Sequence, residues 1–200
     1  MRWRRPAEPI SEAASTSFFE TVKSLDKTIE KLAQSQKGFL FAADAVPVEQ
    51  WETRPHKERW SAGELAGHLM ATERRILSGL DRLLQKPPAP QPFWKRFHIP
   101  IALVEARLVR LKAPVAVDGK ISGEKDEMLA ELRGVRERTL AFIDETKGRD
   151  LSQNCMPHPF LGTLTAYEWF EFIAAHEIRH TKQMAEISKA LLKNITKLQK

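Results

Sequence analysis

Four long segments of the chain place apolar residues three or four positions apart, the spacing of one face of an α-helix. They cover about residues 15–45, 62–85, 124–146 and 165–193. Charged and polar residues fill the intervening positions, so each predicted helix has one face to bury. Signals for β-strands are few along the rest of the chain. The sequence therefore predicts an all-α protein in which four helices form a bundle around a shared core.

Sequence signals also predict where the helices begin. Ser61 precedes Glu64 by three residues at the start of the second helix, and Thr165 precedes Glu168 in the same way at the fourth. This pattern is typical of a capping box, in which the two side chains bond backbone N–H groups of the first turn. Ser122 is the predicted N-cap of the third helix.

The connection between the second and third helices has about forty residues, which is long for a compact domain. It begins with a proline-rich stretch at 87–90 and contains a candidate short helix at 101–111. Such a connector can carry the chain back across the bundle. The second and third helices could then run parallel, whereas tight loops would make successive helices antiparallel.

Length and composition limit the classes of protein. A chain of 200 residues, 29% charged and 42% hydrophobic, is typical of one globular domain, expected over 1–200 with its core at 15–193 and flexible ends. No apolar run matches a membrane span and no signal peptide is recognised, so a cytoplasmic protein is expected. The net charge of +6 is partly at the ends and otherwise dispersed, which disfavours nucleic acid as a partner. Cys155 is the only cysteine, which excludes a disulfide framework.

Three histidines interrupt the apolar stripes of two predicted helices. His176 and His180 lie one turn apart in the fourth helix, and His68 lies within the stripe of the second. Imidazoles directed into a core need a partner, and three that meet could hold a divalent metal ion with a coordination position left open. Imidazole suits several transition metals, so the ligand set does not select one. The alternative is a set of core histidines satisfied by ordinary hydrogen bonds.

The same segment matches the H-E-x-x-H pattern of zinc proteases, in which the glutamate is the general base. The metzincin extension of that pattern needs glycine and histidine where this chain has Gln183 and Glu186. The other protease class needs an acidic ligand further downstream, and none follows Glu186. A protease is therefore disfavoured, and Glu177 is interpreted as a residue that supports the ligands or lies at the surface.

Other polar and aromatic residues have weaker claims to a functional role. His158, in a proline-flanked loop before the fourth helix, is a candidate substrate contact or a residue that supports the metal ligands, although a surface or loop-packing role is favoured. Cys155 has no neighbouring base in the sequence, which disfavours a nucleophile. Trp60 and Trp169 are interpreted as core anchors rather than substrate platforms. Arg179 is either a polar group at the rim of the site or a solvated side chain.

Three motifs contain the histidines and the capping boxes. They are Trp60-Ser61-x-x-Glu64-x-x-x-His68-Leu69, His158-Pro-x-x-Gly162-x-Leu164-Thr165-x-x-Glu168-Trp169 and His176-x-x-x-His180-x-x-Gln183. In this combination the chain resembles the DinB-like superfamily, which includes thiol-dependent transferases. The resemblance covers about residues 15–193.

The resemblance implies a four-helix bundle of up-down-down-up connectivity and a metal site at His68, His176 and His180. Zn or Ni is the expected ion, with Fe or Mn as alternatives, and the expected partner is a small-molecule substrate. The implied reaction is transfer of a low-molecular-weight thiol to a small electrophile. Metal-dependent hydrolysis and a non-catalytic metal- or ligand-binding bundle are the alternatives, and a homodimer is one assembly to consider.

Overall fold

The computed structural model describes residues 12–87, 99–105 and 123–198. Its helices are α1 Glu12–Asp44, α2 Ala62–Leu84, α3 Ala102–Glu105, α4 Lys125–Glu145 and α5 Ala166–Leu198, with a short 3-10 helix at Val48–Gln50. Two short strands, β1 Cys155–His158 and β2 Gly162–Thr165, lie between α4 and α5. The four predicted long helices are confirmed. The Ser122 cap, the remainder of the short helix predicted at 101–111, and residues 1–11 and 199–200 of the two ends lie outside the described residues. Helices α1 and α5 extend to Glu12 and Leu198, beyond the predicted core limits of 15 and 193.

Helix α1 runs parallel to α5 and antiparallel to α4. Lys31 pairs with Glu171 near the start of α5, and the carbonyl of Ala45 accepts a hydrogen bond from Ser188 further along the same helix. In contrast, Lys125 at the start of α4 donates to the carbonyl of Val46, just beyond the end of α1, at 2.7 Å. Later residues of α1 therefore contact later residues of α5, whereas the end of α1 lies at the start of α4.

Helices α2 and α4 run parallel, as the long connector allows. Trp51 packs where a side chain on Gly63 would stand, at the start of α2, and its indole N–H donates to Met128 near the start of α4. Towards the other ends, Asp81 and Glu145 line one groove. The bundle therefore has the expected up-down-down-up connectivity. None of the helices in the described ranges is long and apolar enough to cross a membrane.

The described part of the connector lies against α5. Arg179 donates to the carbonyl of Val104, and Lys182 donates to the carbonyl of Glu105. Ile101 is 5% exposed and belongs to the apolar cluster that includes Phe170. The connector thus contributes to the core and covers the outer side of the last helix.

A β-hairpin replaces the loop that the sequence predicts before the last helix. β1 and β2 are antiparallel, and Gly162 has a φ of +100°, a conformation that favours glycine. The indole of Trp169 donates to the carbonyl of Met156 at 3.1 Å, and the Met156 side chain packs against Gly79 of α2. Four-residue strands show almost no alternation, and Pro157 in β1 cannot donate to the ladder, so the sequence signal for this hairpin is weak.

A buried ionic cluster joins α2, α4 and α5. The guanidinium of Arg136 bonds both carboxylate oxygens of Glu73, at 2.9 and 3.1 Å, and one oxygen of Glu177, at 2.9 Å. It also donates to the carbonyl of Leu32 in α1. Burial alone would lower the pKa of Arg136, but its bonds and charge interactions with the two glutamates outweigh burial and raise it. One cation on α4 therefore contacts the other three long helices.

Two hydroxyl groups complete the cluster. Thr139 donates to Glu73 and Ser35 donates to Glu177, each at 2.5 Å. All of these side chains are buried, and burial raises the pKa of Glu177. Removal of the cation would leave two carboxylates in the core without their main partner, which is far more costly than loss of an exposed ion pair.

We predict that Arg136→Ala lowers the free energy of unfolding by about 3–5 kcal/mol, because it leaves buried charge uncompensated. The control is Arg133→Ala, on the exposed side of the same helix, which should change it by less than about 0.5 kcal/mol. Urea unfolding followed by circular dichroism measures both. Equal stability of the two variants would contradict this view of the cluster.

Candidate metal centre

Capping boxes fix the starts of the two helices that bear the histidines. At α2, the amide of Glu64 donates to Ser61 Oγ at 3.1 Å, and the Glu64 carboxylate accepts from the Ser61 amide at 2.9 Å. Arg54 adds a further bond to this carboxylate. At α5, the amide of Thr165 donates to Glu168 at 2.7 Å, and the Glu168 amide donates back at 3.3 Å. Both predicted boxes form, and they define where α2 and α5 begin.

The structure brings the three histidines together between α2 and α5. His176 Nε2 lies 3.3 Å from His68 Nε2 and 3.1 Å from His180 Nε2. One nitrogen from each residue lies within 4.8 Å of the other two. His180 is 8% exposed, whereas His68 and His176 are half-buried. The three side chains therefore converge between α2 and α5, and two of them are partly exposed.

The arrangement fits a divalent ion better than it fits hydrogen bonding among imidazoles. His180 Nδ1 lies 3.0 Å from Gln183 Oε1, which favours a proton on Nδ1 and a lone pair on Nε2. A hydrogen on the central nitrogen, that of His176, could point to only one of its two neighbours. Ligands at 2.0–2.1 Å around a tetrahedral ion are about 3.3 Å apart, close to the two separations measured from His176 Nε2. A metal ion would engage all three lone pairs at once.

Burial favours the neutral forms of His68 and His176. It lowers the pKa of His68 to about 4. Burial also lowers the pKa of His176 well below its ordinary value, and the neighbouring charges of His180 and His68 act in the same direction. Because only a neutral imidazole can bind a metal ion, these groups need not lose a proton to do so at neutral pH.

Aromatic rings surround the three histidines. Phe172 stacks on His176, with ring centres 5.3 Å apart and planes 21° apart. The Trp60 ring lies 4.8 Å from the His68 ring and stacks on His180 at 6.4 Å. Trp60 also packs against the core and is only half-buried. The rings pack against the imidazoles and limit their movement.

Glu177 does not face the three histidine nitrogens. Its carboxylate lies 2.5 Å from Ser35 Oγ and 2.9 Å from Arg136 and is 2% exposed. The residue after His176 is rotated by about 100° around the helix, which turns it into the core. The H-E-x-x-H pattern therefore has no general base in the position that a zinc protease requires. Glu177 is a buried member of the ionic cluster, and the surface alternative is wrong.

His158 ends β1 and bonds the hairpin turn. Its Nδ1 accepts hydrogen bonds from the amides of Phe160 and Leu161, both at 3.1 Å. Its ring packs edge-on against Phe172 at 4.6 Å. This is the loop-packing role that the sequence favours, in a position separated from His176 by a single ring.

The remaining candidates have other contacts. The thiol of half-buried Cys155 points to the carbonyl of Ser152 at 3.8 Å. Trp169 is 5% exposed and serves as a core anchor. Arg179 bonds the connector. The sequence reasoning missed the hydrogen bond from His180 Nδ1 to Gln183 Oε1, although the spacing of three residues on one helix is the signal that could have identified it.

A bundle of this connectivity with three convergent histidines defines a class of helical proteins with a candidate metal site. The sequence profile of the DinB superfamily matches residues 31–184, and the chain belongs to that superfamily. The uncharacterized protein YuaE of Bacillus subtilis (strain 168) is 31% identical over 146 residues, which cover 72% of this chain and 86% of YuaE.

A solved structure has a similar fold. YfiT from Bacillus subtilis is described as a probable metal-dependent hydrolase with an unusual four-helix bundle topology. It superposes with a TM-score of 0.57 over 94% of this chain and 93% of YfiT, at 16% sequence identity. At that identity the likeness establishes the fold.

We predict that the metal-free protein loses stability as the pH falls from about 6.5 to about 4. In this window the unfolded chain binds a proton at His68, whose ordinary pKa is 6.5, whereas the folded state, with a pKa of about 4, does not. His68→Gln should reduce the slope of unfolding free energy against pH by up to about 1.4 kcal/mol per pH unit. Urea unfolding in the presence of a chelator measures this slope.

The control for that slope is His56→Gln. His56 lies in an exposed loop between α1 and α2. This variant should keep the pH dependence of the unmodified protein. A slope unchanged by His68→Gln would show that burial does not hold His68 neutral.

Proposed function

We propose that this protein is a metal-dependent enzyme that transfers a low-molecular-weight thiol to a small electrophile. His68, His176 and His180 would hold the divalent ion, and the convergence of their nitrogens at 3.1 and 3.3 Å carries the proposal. An ion bound there would lower the pKa of a thiol or water and supply a nucleophile at neutral pH. Zn or Ni is the expected ion, with Fe or Mn as alternatives.

The ligand set supports a catalytic rather than a closed structural site. Three neutral imidazoles contribute no negative charge, so a divalent ion would favour an anionic fourth ligand such as a thiolate or hydroxide. The partial exposure of His68 and His176 gives such a ligand a way in. Structural zinc sites usually contain thiolates, and the only cysteine, Cys155, bonds elsewhere.

The buried carboxylates favour a thiol over water as the nucleophile. Glu73 and Glu177 lie on the ligand-bearing helices, but both are engaged by Arg136 and by hydroxyl donors. Neither is available as a general base. A thiol is acidic enough to lose its proton on binding a metal ion, whereas activation of water usually benefits from a nearby base.

Hydrolysis is the second candidate function, and the likeness to YfiT favours it. Three histidines and an open position are also the ligand set with which zinc lowers the pKa of bound water to about 7 in other enzymes. The two reactions share the site and differ in the nucleophile, so product analysis can separate them.

We predict that the purified protein binds about one divalent ion per chain and that His176→Ala loses it, because two imidazoles hold an ion much less tightly than three. His56→Ala, in the exposed loop, should keep the metal content unchanged. Metal analysis by mass spectrometry measures both. Chelation should leave the helical circular dichroism signal largely intact, because packing of the buried apolar side chains stabilises the bundle whether or not an ion is bound. Unchanged metal in His176→Ala would refute the site.

We predict that the metal-loaded protein accelerates attack on p-nitrophenyl acetate and on benzyl chloride in the presence of a suitable low-molecular-weight thiol. Bacillithiol, mycothiol and glutathione form the panel, with water alone as the comparison. Mass spectrometry of the product identifies a thioester or thioether for thiol transfer and acetate or benzyl alcohol for hydrolysis. Activity that survives complete removal of the metal would contradict both candidate functions.

A further inference from the structure

The hairpin residue His158 has one ring nitrogen committed to the fold and one that is not. Its Nδ1 accepts hydrogen bonds from the amides of Phe160 and Leu161, so in the neutral ring the proton is on Nε2. Within the described ranges, Nε2 has no hydrogen-bond acceptor. The turn therefore fixes the tautomer and leaves an N–H group available to a ligand.

The ring of Phe172 separates the ring of His158 from the candidate metal centre. The His158 ring contacts Trp169 at 5.3 Å and Phe172 at 4.6 Å, and Phe172 stacks on His176. The side chain is half-buried, so part of it faces solvent-accessible space. Burial lowers the pKa of His158 to about 4, and its charge is among those that would lower the pKa of His176. A neutral donor thus lies one aromatic ring away from the three histidines.

We propose that His158 donates a hydrogen bond from Nε2 to a carbonyl oxygen of the substrate, and that carbonyl compounds are accordingly the preferred class of electrophile. This inference rests on the proposed function and adds to it the substrate class and a residue that contacts the substrate. A neutral imidazole with a fixed tautomer is a suitable donor to an oxygen that gains negative charge during the reaction.

The role of His158 requires no proton transfer. The electron pair of the nucleophile forms a bond to the carbonyl carbon, and the π pair of the C=O bond moves to the oxygen that accepts the hydrogen bond. With an ester, that pair then re-forms the C=O bond while the alkoxide leaves with its bonding pair and takes a proton from solvent. Nε2 keeps its proton throughout.

Two substitutions separate the donor from the hairpin turn. His158→Asn keeps an acceptor close to the position of Nδ1, since an asparagine oxygen readily accepts from the amide two residues on, but it removes the distal donor. His158→Gln places an amide N–H near the position of Nε2 but lacks the acceptor of the turn. His158→Asn should therefore preserve the stability of the turn, whereas His158→Gln should preserve turnover of the substrate.

The test compares p-nitrophenyl acetate, which has a carbonyl oxygen, with benzyl chloride, which has none. We expect His158→Asn to lower kcat/KM for the ester roughly 100-fold, the usual effect of losing one such donor, and to leave benzyl chloride unchanged. His158→Gln should retain most ester activity. Equal losses for the two substrates would indicate a merely structural role, and no loss for the ester would overturn the proposal.

Acetate binding to the Co²⁺-loaded protein gives a reading that does not depend on turnover. The visible spectrum of Co²⁺ reports acetate binding, which His158→Asn should weaken about tenfold if Nε2 donates to the second carboxylate oxygen. Failure of the unmodified protein to bind Co²⁺ would refute the proposed metal function itself. Binding of Co²⁺ with acetate affinity unaffected by the substitution would refute only the role of His158.

Discussion

The contact of Arg136 with two glutamates is the constraint on which the arrangement of this bundle depends. Glu73 follows His68 on α2 and Glu177 directly follows His176 on α5, so one guanidinium ties together the two ligand-bearing helices. A buried charged group tolerates little displacement, because each lost bond leaves a charge unpaired. Apolar side chains would permit the helices to slide with small changes in packing. The ionic cluster thereby fixes the relative position of the helices that present the histidines.

The fold was predictable where local signals were strong. Helical spacing identified the four long helices, and the capping boxes at Ser61 and Thr165 placed the starts of two of them. The length of the connector suggested that α2 and α4 run parallel. The hairpin at 155–165 was missed, because its strands have four residues each and one contains a proline. It is stabilised by contacts with distant residues such as Gly79, which local sequence does not reveal.

The three histidines of the candidate site could be predicted from the sequence, because imidazoles within apolar stripes are expected to be buried and a buried imidazole needs a partner. The sequence could not show which residues surround them. Trp60 precedes α2 and reaches His180 only after the helices pack. Glu177 is the glutamate of the H-E-x-x-H pattern, and only the packing of α4 showed that its carboxylate faces Arg136. Contacts that form only in the tertiary structure produce no periodic pattern in the local sequence. The sequence therefore predicted the three histidines but not the residues around them.

The long sequence separation of the histidines has a consequence for the order of events as the chain is made. His68 and His176 are 108 residues apart, and two of the three imidazoles belong to the last long helix. A nascent chain can present all three only after α5 has left the ribosome and docked. Closing so large a loop through an ion alone is entropically unfavourable, so the bundle has to gather the ligands first. Loading of a metal would thus mark the completion of folding rather than initiate it.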